Sequence, residues 1–310
     1  MAGLACAQRL RSAGHAPVLI DKGRGAGGRM ATRRMATLLG DVSFDHGAQY
    51  FTAMDPGFKE QVQVWADAGV VGRWAAAGGE AWVGIPAMNA PLKAMASGMD
   101  VRWATRATTL SRTSTGWAVE TDDGNVLSAD ALVTALPAEQ TADLLATLAL
   151  PVAGTLADAA RARPSAPCWT VMLAFAERLA SVEDCVRGTD ADALGWAARN
   201  SSKPGRGGLE AWVIQAGADW SVEHLEALPA EVEARLMEAL SVRLGMSLPA
   251  PLVQASHRWR FARSDQAGAG GFWDSSTRLG VCGDWLLGSK VEDAWRSGTH
   301  LARSMAADLG

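Results

Sequence analysis

The stretch MAGLACAQRLRSAGHAPVLIDKGRGAGGRM, residues 1–30, decides the fold. Residues 2–13 are rich in alanine and leucine and predict a helix that ends before Gly14. The apolar run VLI at residues 18–20 then leads into Asp21, which is typical of a buried parallel strand. A helix, a parallel strand and a glycine-rich loop in this order favour an α/β fold that binds a dinucleotide.

Two positions match parts of the GxGxxG dinucleotide fingerprint. Gly3 stands where the third glycine lets a helix pack closely on the sheet. Asp21 stands where an acid holds the ribose hydroxyls. The first strand and the first two glycines of the fingerprint are missing before Met1. This leaves open whether the natural protein starts upstream, and one alternative is a chain with impaired dinucleotide binding.

The glycine-rich loop GRGAGGRM, residues 23–30, lets backbone N–H groups approach phosphate, and Arg29 adds a charge-assisted donor. The segment FDHGAQYF, residues 44–51, contains a Gly-Ala step over which a flat ring can lie. Gln49 and Tyr50 follow that step with polar groups at the edge of such a ring. Both segments therefore predict contacts to a nucleotide with an aromatic ring system.

The segment VCGDWLLGSKVEDAWRSG, residues 281–298, predicts a strand, a loop and a helix. Asp284 can accept hydrogen bonds from sugar hydroxyls, and a helix beginning near Val291 can stabilise a negative charge. Elsewhere, hydrophobic periodicity predicts further elements. Helices are expected over residues 56–70, 138–149 and 228–244 and from Pro86, and strands over residues 101–103, 106–111, 116–121, 131–136, 169–175, 210–215 and 278–282.

Composition narrows the class of protein. The formal net charge of −4 is spread without blocks, which argues against a nucleic-acid partner. The sequence contains no run of 18 apolar residues, so we expect no membrane span, and we expect residues 1–14 to form an amphipathic helix and not a signal peptide. The four cysteines form no CxxC pair and the five histidines are scattered, so we expect reduced thiols, no metal site and a cytoplasmic location.

Tryptophan is unusually frequent, with 13 Trp against the single Tyr50. One interpretation is that tryptophan replaces tyrosine throughout the core and surface. The other is that some of the tryptophans line a pocket for a flat aromatic ligand, which stacks well on indole rings. The sequence leaves both open.

Six segments together resemble the flavin amine-oxidase superfamily, and most closely the bacterial renalases. They are AGLACA, IDKGRGAGGRM, FDHGAQYF, RNSSKPGR, HRWRFARS and GDWLLGSKVEDAWRSG, and they cover essentially the whole chain in order. The resemblance implies an α/β fold with a discontinuous Rossmann-type FAD-binding domain and an inserted α+β substrate domain. The FAD-binding domain is expected over residues 1–50, 99–150 and 277–310, and the substrate domain over residues 51–98 and 151–276.

The resemblance also implies an activity. Bacterial renalases are FAD-dependent oxidases that convert the 2- and 6-dihydro isomers of NAD(P)H to NAD(P)+. The hydride passes to flavin and on to dioxygen, which gives hydrogen peroxide. The expected partners are therefore dihydronicotinamide dinucleotide isomers and dioxygen, with no nucleic acid and no membrane. The alternatives are a flavin amine oxidase acting on another small amine, or an N-terminally truncated chain that binds FAD poorly.

The matching motifs imply two sets of site residues. Expected FAD contacts are Met1, Gly3, Asp21, Lys22, Arg29, Ala48, Gln49, Ala107, Asp284 and Val291. Expected substrate contacts are Tyr50, Phe51, Thr52, Ala53, Met54, Cys168, Asn200, His257 and Lys290. No general base is assigned, because in hydride transfer the cofactor carries the chemistry and the protein supplies orientation.

This chain departs from the renalase pattern at three places on the substrate side. Lys290 stands where the family often has Arg, and a lysine cannot form the bidentate fork of a guanidinium. Cys168 stands where Thr is common, and residues 75–82 form a shorter segment. These departures concern the substrate and leave the expected cofactor unchanged.

Overall fold

The structure is a computed structural model and describes residues 1–264, 268 and 270–310. Helix α1 (Ala2–Ser12) leads into strand β1 (Val18–Asp21), as predicted. β1 pairs in parallel with β6 (Asp100–Trp103). Gly3 lies so close to the residue after a neighbouring strand that an added Cβ would be 3.1 Å from Cβ of Ala135. Glycine at this position therefore permits the close packing that the fingerprint predicts.

A second parallel pair joins β10 (Leu132–Thr134) to β17 (Leu279–Val281), and β16 (Phe272–Asp274) extends it on the other side of β17. After β17 the chain turns into the long C-terminal helix α8 (Val291–Leu309), which packs on α1. An added Cβ on Gly298 of α8 would lie 2.1 Å from the Ala2 carbonyl oxygen. This contact fixes the crossing of the two helices.

A five-stranded antiparallel sheet forms the second layer of the molecule, with its strands in the order β12-β13-β14-β11-β15. One face packs against α6 (Ala218–Glu223) and α7 (Pro229–Leu244) through an apolar core that contains Trp212. The other face packs against a separate apolar cluster that contains Val42 and Phe44. The strands are β11 (Ser165–Phe175), β12 (Cys185–Arg187), β13 (Trp196–Arg199), β14 (Glu210–Gln215) and β15 (Val253–Ser264).

A hairpin lies on that second face of the sheet. It consists of β2 (Thr32–Thr37) and β3 (Gly40–Asp45), and its Phe44 packs in one core with Met172 and Val213. Because β3 runs directly into residues 46–51, the hairpin determines where that segment lies against the sheet.

Residues 51–98 fill the space beside α1, α8 and the sheet. Their apolar side chains share one core with Leu4 of α1, Trp295 of α8 and Trp196 of the sheet. The prediction that residues 51–98 belong with the substrate domain stays a prediction. The elements of this segment are α2 (Pro56–Asp67), β4 (Val71–Arg73), β5 (Trp82–Gly84) and α3 (Ala90–Ala96).

A three-stranded antiparallel sheet and two helices complete the fold. They enclose a third apolar core that reaches Trp117 and Trp285. The strands are β7 (Ala107–Arg112), β8 (Trp117–Thr121) and β9 (Val126–Ala129), and the helices are α4 (Ala138–Leu145) and α5 (Pro151–Arg161). In the described part of the chain, no helix combines the length and apolar character that crossing a bilayer requires.

The predicted α/β class with a Rossmann-type part is confirmed, and several local predictions need correction. The helix expected from Pro86 begins only at Ala90, because the Met88 N–H donates to the Asp45 carboxylate at 3.0 Å and holds a turn there. The hairpin β2–β3, helix α5 and the long strand β15 were not predicted. The alternation in β15, where Val253, Ala255 and Trp259 stand among polar residues, was a usable strand signal.

Candidate functional site

Five directly paired residues, one on each strand of the five-stranded sheet, form a row of polar and aromatic side chains. Directly paired residues on neighbouring strands point to the same face, so the row crosses the whole sheet from β12 to β15. We call it the cross-sheet row. Its members, in spatial order, are Arg187, Trp196, Gln215, Thr170 and His257.

The segment after β3 runs along this row, and we call residues 46–50 the ring strip. The His46 and His257 rings lie 5.0 Å apart at one end. In the middle, Nε2 of Gln215 donates to the Gly47 carbonyl at 2.8 Å. At the other end the Tyr50 and Trp196 rings lie 5.6 Å apart. The structure therefore places the motif FDHGAQYF against this face of the sheet.

Close approach to the backbone requires glycine in the ring strip. A Cβ on Gly47 would lie 2.1 Å from the Arg29 carbonyl oxygen, which accepts the Ala48 N–H at 2.8 Å. The strip is thus held against the end of the glycine-rich loop. Ala48 adds only a methyl group, and the prediction that a flat ring lies over this stretch of backbone stays a prediction.

An aromatic arginine cradle closes the Tyr50 end of the row. The Arg187 guanidinium lies 4.4 Å from the Trp196 ring centroid and 5.9 Å from that of Tyr50. Its Nη2 also donates to the Tyr50 hydroxyl at 3.4 Å. Among the described residues, Nε1 of the buried Trp196 has no hydrogen-bond partner. The cradle combines two flat rings, one cation and one free donor.

The opposite end of the row holds two histidines and one tryptophan. The Trp259 ring stacks on His46 at 5.2 Å and meets His257 edge-on at 4.3 Å. Burial, the neighbouring His257 and the charge of Arg33 lower the pKa of His46 to about 4. Burial and Arg33 also lower the pKa of His257. Both imidazole rings are therefore uncharged near pH 7, and each of them can then accept a hydrogen bond.

The His46 pKa predicts a stability loss in mild acid. The unfolded His46 binds a proton near pH 6.5 but the folded one only near about 4, so its contribution is full above pH 6.5 and falls as pH drops toward 4. Between pH 7 and pH 4.5, we expect the free energy of unfolding of His46→Gln to fall by up to about 3 kcal/mol less than that of the unchanged protein. Urea unfolding at pH 7 and pH 4.5 measures it. The exposed His300→Gln is the matched control, and an unchanged pH dependence in His46→Gln would contradict the assignment.

Behind the ring strip, Asp45 is the centre of a buried ionic cluster. Its carboxylate accepts from Nη2 of Arg206 at 2.6 Å and from Nζ of Lys203 at 3.3 Å. It also accepts from Oγ1 of Thr32 at 2.7 Å and from the Met88 N–H. Burial alone would raise the pKa of Asp45, but the two cations outweigh it and hold that pKa below its usual value. The carboxylate is thus ionised at neutral pH.

The N-terminal end of α1 is where the predicted FAD site would hold the diphosphate. Among the described residues no side chain caps this helix, and its first N–H groups remain available to an anion. Arg29 forms an ion pair with Asp284 beside it. Burial and the charge of Arg29 lower the pKa of the Met1 amino group, and the charge of Asp284 opposes them. A cation and uncapped N–H groups fit a diphosphate.

The other predicted FAD contacts lie around the same region. Ala48 and Val291 pack on the core that contains Met30. Gln49 is part of the ring strip, and its side chain is buried on the side of the Asp45 cluster. Lys22 is exposed and its Nζ reaches Oε1 of Gln140 at 3.4 Å. Ala107 begins β7 and is half-buried. Their assignment to FAD stays a prediction.

The predicted substrate contacts divide into two groups. Tyr50 and His257 lie at the cross-sheet row, and Cys168 neighbours it opposite Trp259. Burial raises the pKa of the Cys168 thiol to about 11, so this thiol stays protonated. Phe51 is a core side chain that packs on a neighbouring aromatic ring.

The second group lies away from the row. Ala53 is buried in the core and Thr52 is half-buried, whereas Met54 is exposed and its N–H donates to Glu292 at 2.7 Å. Asn200 positions the hairpin, since its Nδ2 donates to the Ser43 carbonyl at 2.8 Å. Lys290 is exposed at the N-cap position of α8, and its backbone N–H donates to the Asp293 carboxylate at 3.1 Å. Their substrate roles stay predictions.

Sequence reasoning missed most of the residues that build the site wall. Lys203 and Arg206 lie within the quoted motif RNSSKPGR, so their charge was a usable signal. Of the cross-sheet row only His257 was predicted, because the strand register that aligns the other members cannot be derived from one sequence. The missed positions are Asp45, Thr170, Arg187, Trp196, Lys203, Arg206 and Gln215.

Comparison with protein families gives two matches. Residues 71–306, which is more than half of the chain, match the family described as flavin containing amine oxidoreductase. Residues 1–67 match the NAD(P)-binding Rossmann-like domain. The second match contains α1, β1 and the ring strip.

Solved structures share the fold at low sequence identity. A cyclohexylamine oxidase from Brevibacterium oxydans is 12% identical with a TM-score of 0.69, over 99% of this chain and 97% of that one. An engineered putrescine oxidase with redesigned cofactor binding is 12% identical with a TM-score of 0.65, over 99% and 96%. A putative protoporphyrinogen oxidase from Exiguobacterium is 14% identical with a TM-score of 0.56, over 74% and 53%. At such identities the likeness shows the fold alone.

Proposed function

This chain belongs to the family of flavin-containing amine oxidoreductases with FAD as cofactor, and on that premise we propose that it oxidises the 2- and 6-dihydro isomers of NAD(P)H to NAD(P)+. When bound, FAD accepts a hydride, which is two electrons and one proton. Dioxygen then takes up these two electrons with that proton and one more from solvent, and becomes hydrogen peroxide. The resemblance to bacterial renalases suggests this substrate, and the site supports it.

The positive charge at the cradle is the observation that carries the proposal. Arg187 covers the aromatic pair Trp196 and Tyr50, and in the described part of the chain no carboxylate pairs with it. A protonated amine would be repelled by this cation, whereas the diphosphate of a dinucleotide would be attracted. The cradle therefore favours an anionic substrate over a cationic one.

The protein groups at the row orient a nicotinamide ring and exclude water. Tyr50 is half-buried and can offer a flat face for stacking beside Trp196 and Arg187. On the sheet side of the strip, His46 is neutral and the Cys168 thiol is protonated at pH 7. This suits hydride transfer, in which positioning contributes most of what the protein adds.

A second candidate is the oxidation of a small uncharged amine. The tilted aromatic pair of Tyr50 and Trp196 favours it, because two rings can flank an amine beside a flavin. In that case the amine would have to bind after losing its proton, since Arg187 disfavours the ammonium form.

Anaerobic bleaching of the flavin absorbance distinguishes the two candidates. We expect the FAD-loaded protein to be bleached by borohydride-generated NAD(P)H isomers, and not by ordinary 4-dihydro NADH, cyclohexylamine or putrescine. Hydrogen peroxide should form when air is admitted. Bleaching by an amine without bleaching by the isomers would overturn the proposal in favour of the second candidate.

Arg187→Met tests the basis of the selectivity. We expect it to raise roughly tenfold the isomer concentration that gives half of the maximal bleaching rate, since one cation near the diphosphate is lost. Affinity for a neutral nicotinamide fragment should change little. Arg34→Met, which removes an exposed cation from β2, is the control. Equal effects of the two variants would contradict a specific role for Arg187.

A further inference from the structure

Two buried cations share one carboxylate behind the ring strip. The side chains of Lys203 and Asp45 are fully buried and that of Arg206 is 3% exposed. Over residues 1–264, 268 and 270–310, Asp45 is the sole ion-pair partner of either cation. The cluster therefore carries one net positive charge while Lys203 is protonated. An uncompensated charge at this depth acts strongly on its surroundings, since water screens it little.

Gln49 links this charge to the ring strip. Nζ of Lys203 donates to Oε1 of Gln49 at 3.2 Å. Nε2 of Gln49 in turn donates to the Gly47 carbonyl at 3.0 Å and to the Asp45 carbonyl. The bond from Lys203 fixes which way the Gln49 amide points and polarises its N–H groups toward the strip backbone.

We propose that Lys203 is a positioning residue for the flavin, which orients Gln49 and supplies a positive potential that stabilises the negative charge gained by the ring on reduction. This inference rests on FAD lying along the ring strip, as in the proposed function, and not on the identity of the substrate. Lys203 acts through Gln49 and need not touch the cofactor. Preorganised charge of this kind is a common way to favour a developing anion.

Lys203→Met tests the proposal, because methionine keeps the length of the side chain and removes its charge. Sulfite adds to oxidised flavins as an anion, so its affinity reports the local potential. In the FAD-loaded protein at pH 7 we expect the Kd for sulfite to rise roughly tenfold. The same factor on two-electron reduction lowers the midpoint potential by about 30 mV.

Lys93→Met is the matched control. Lys93 is exposed on α3 and belongs to no ion pair of the described residues. We expect its sulfite Kd and midpoint potential to equal those of the unchanged protein. A change of less than about twofold in Lys203→Met, or an equal change in both variants, would overturn the proposal.

The pH dependence of the sulfite Kd and of the midpoint potential distinguishes an electrostatic role of Lys203 from a packing role. Burial lowers the pKa of Lys203 to about 8, opposed by Asp45 and assisted by Arg206. These two are the charged groups that face it, and Trp74 contributes an uncharged ring at 5.3 Å. Above pH 8 the lysine loses its charge, so the difference between the unchanged protein and Lys203→Met should shrink as pH rises from 7 to about 9.

If Lys203→Met does not fold, the unchanged protein still tests the proposal. Its midpoint potential, measured relative to free FAD, should fall as pH passes through about 8. A difference from free FAD that stays constant across this range would overturn the proposal. A purified protein without any flavin absorbance would overturn the proposed function as well, whereas normal absorbance with an unshifted potential would overturn this inference alone.

Discussion

Asp45→Asn is expected to destabilise the protein by about 3–5 kcal/mol, because it removes the only negative charge from a buried ionic cluster. Asparagine fits the same space, so the loss comes from charge and not from volume. Lys203 and Arg206 would remain buried with no counter-charge, at 3.3 and 2.6 Å from a neutral amide. The hydroxyl of Thr32 would also lose a charged acceptor.

Urea unfolding at pH 7 measures this loss, with Asp41→Asn on the exposed part of β3 as the control. The pKa of Asp45 lies below its usual value, so its contribution to stability is present above about pH 4 and is lost as pH falls through the folded pKa. Asp45→Asn should therefore show a flatter stability profile below pH 4. A loss under about 1 kcal/mol at pH 7 would show that the two cations find other compensation.

The cluster also explains which parts of the site the sequence could predict. Features that depend on neighbouring residues could be predicted from the sequence. Helix propensity predicts the helix at residues 2–12, and apolar periodicity predicts the strand that ends at Asp21. Gly47 marks a place where the backbone needs a residue without a side chain. The pairing of Arg29 with Asp284 joins two motifs far apart in sequence that were both assigned to the cofactor. Here each motif carried its own signal.

Long-range register was not readable. The cross-sheet row depends on strands β12 to β15 aligning Arg187 with Trp196, and Thr170 with His257. A shift of one residue in any strand would turn its member to the opposite face. Likewise, nothing local to FDHGAQYF or RNSSKPGR shows that Asp45 meets Lys203 inside the protein. Those contacts arise only when the hairpin docks on the sheet.

Gly47→Ala is expected to abolish tight FAD binding, because the ring strip has no space for a methyl group at this position. The added Cβ would lie 2.1 Å from the Arg29 carbonyl oxygen and 2.8 Å from its carbonyl carbon, both of them backbone atoms. Relief requires the strip and the glycine-rich loop to separate. The hydrogen bond from the Ala48 N–H to that oxygen would then break. Arg29 and Ala48, which are both predicted to contact FAD, would no longer be held in position relative to each other.

We expect the Kd for FAD to rise at least about tenfold and the cofactor-free protein to lose about 1–3 kcal/mol of stability. Fluorescence quenching of FAD on binding measures the first, and urea unfolding without FAD measures the second. Gly79→Ala is the control, since a Cβ there meets no atom within 4 Å. Unaltered FAD affinity in Gly47→Ala would mean that the flavin does not lie along residues 46–50, and the inference drawn for Lys203 would fall with it.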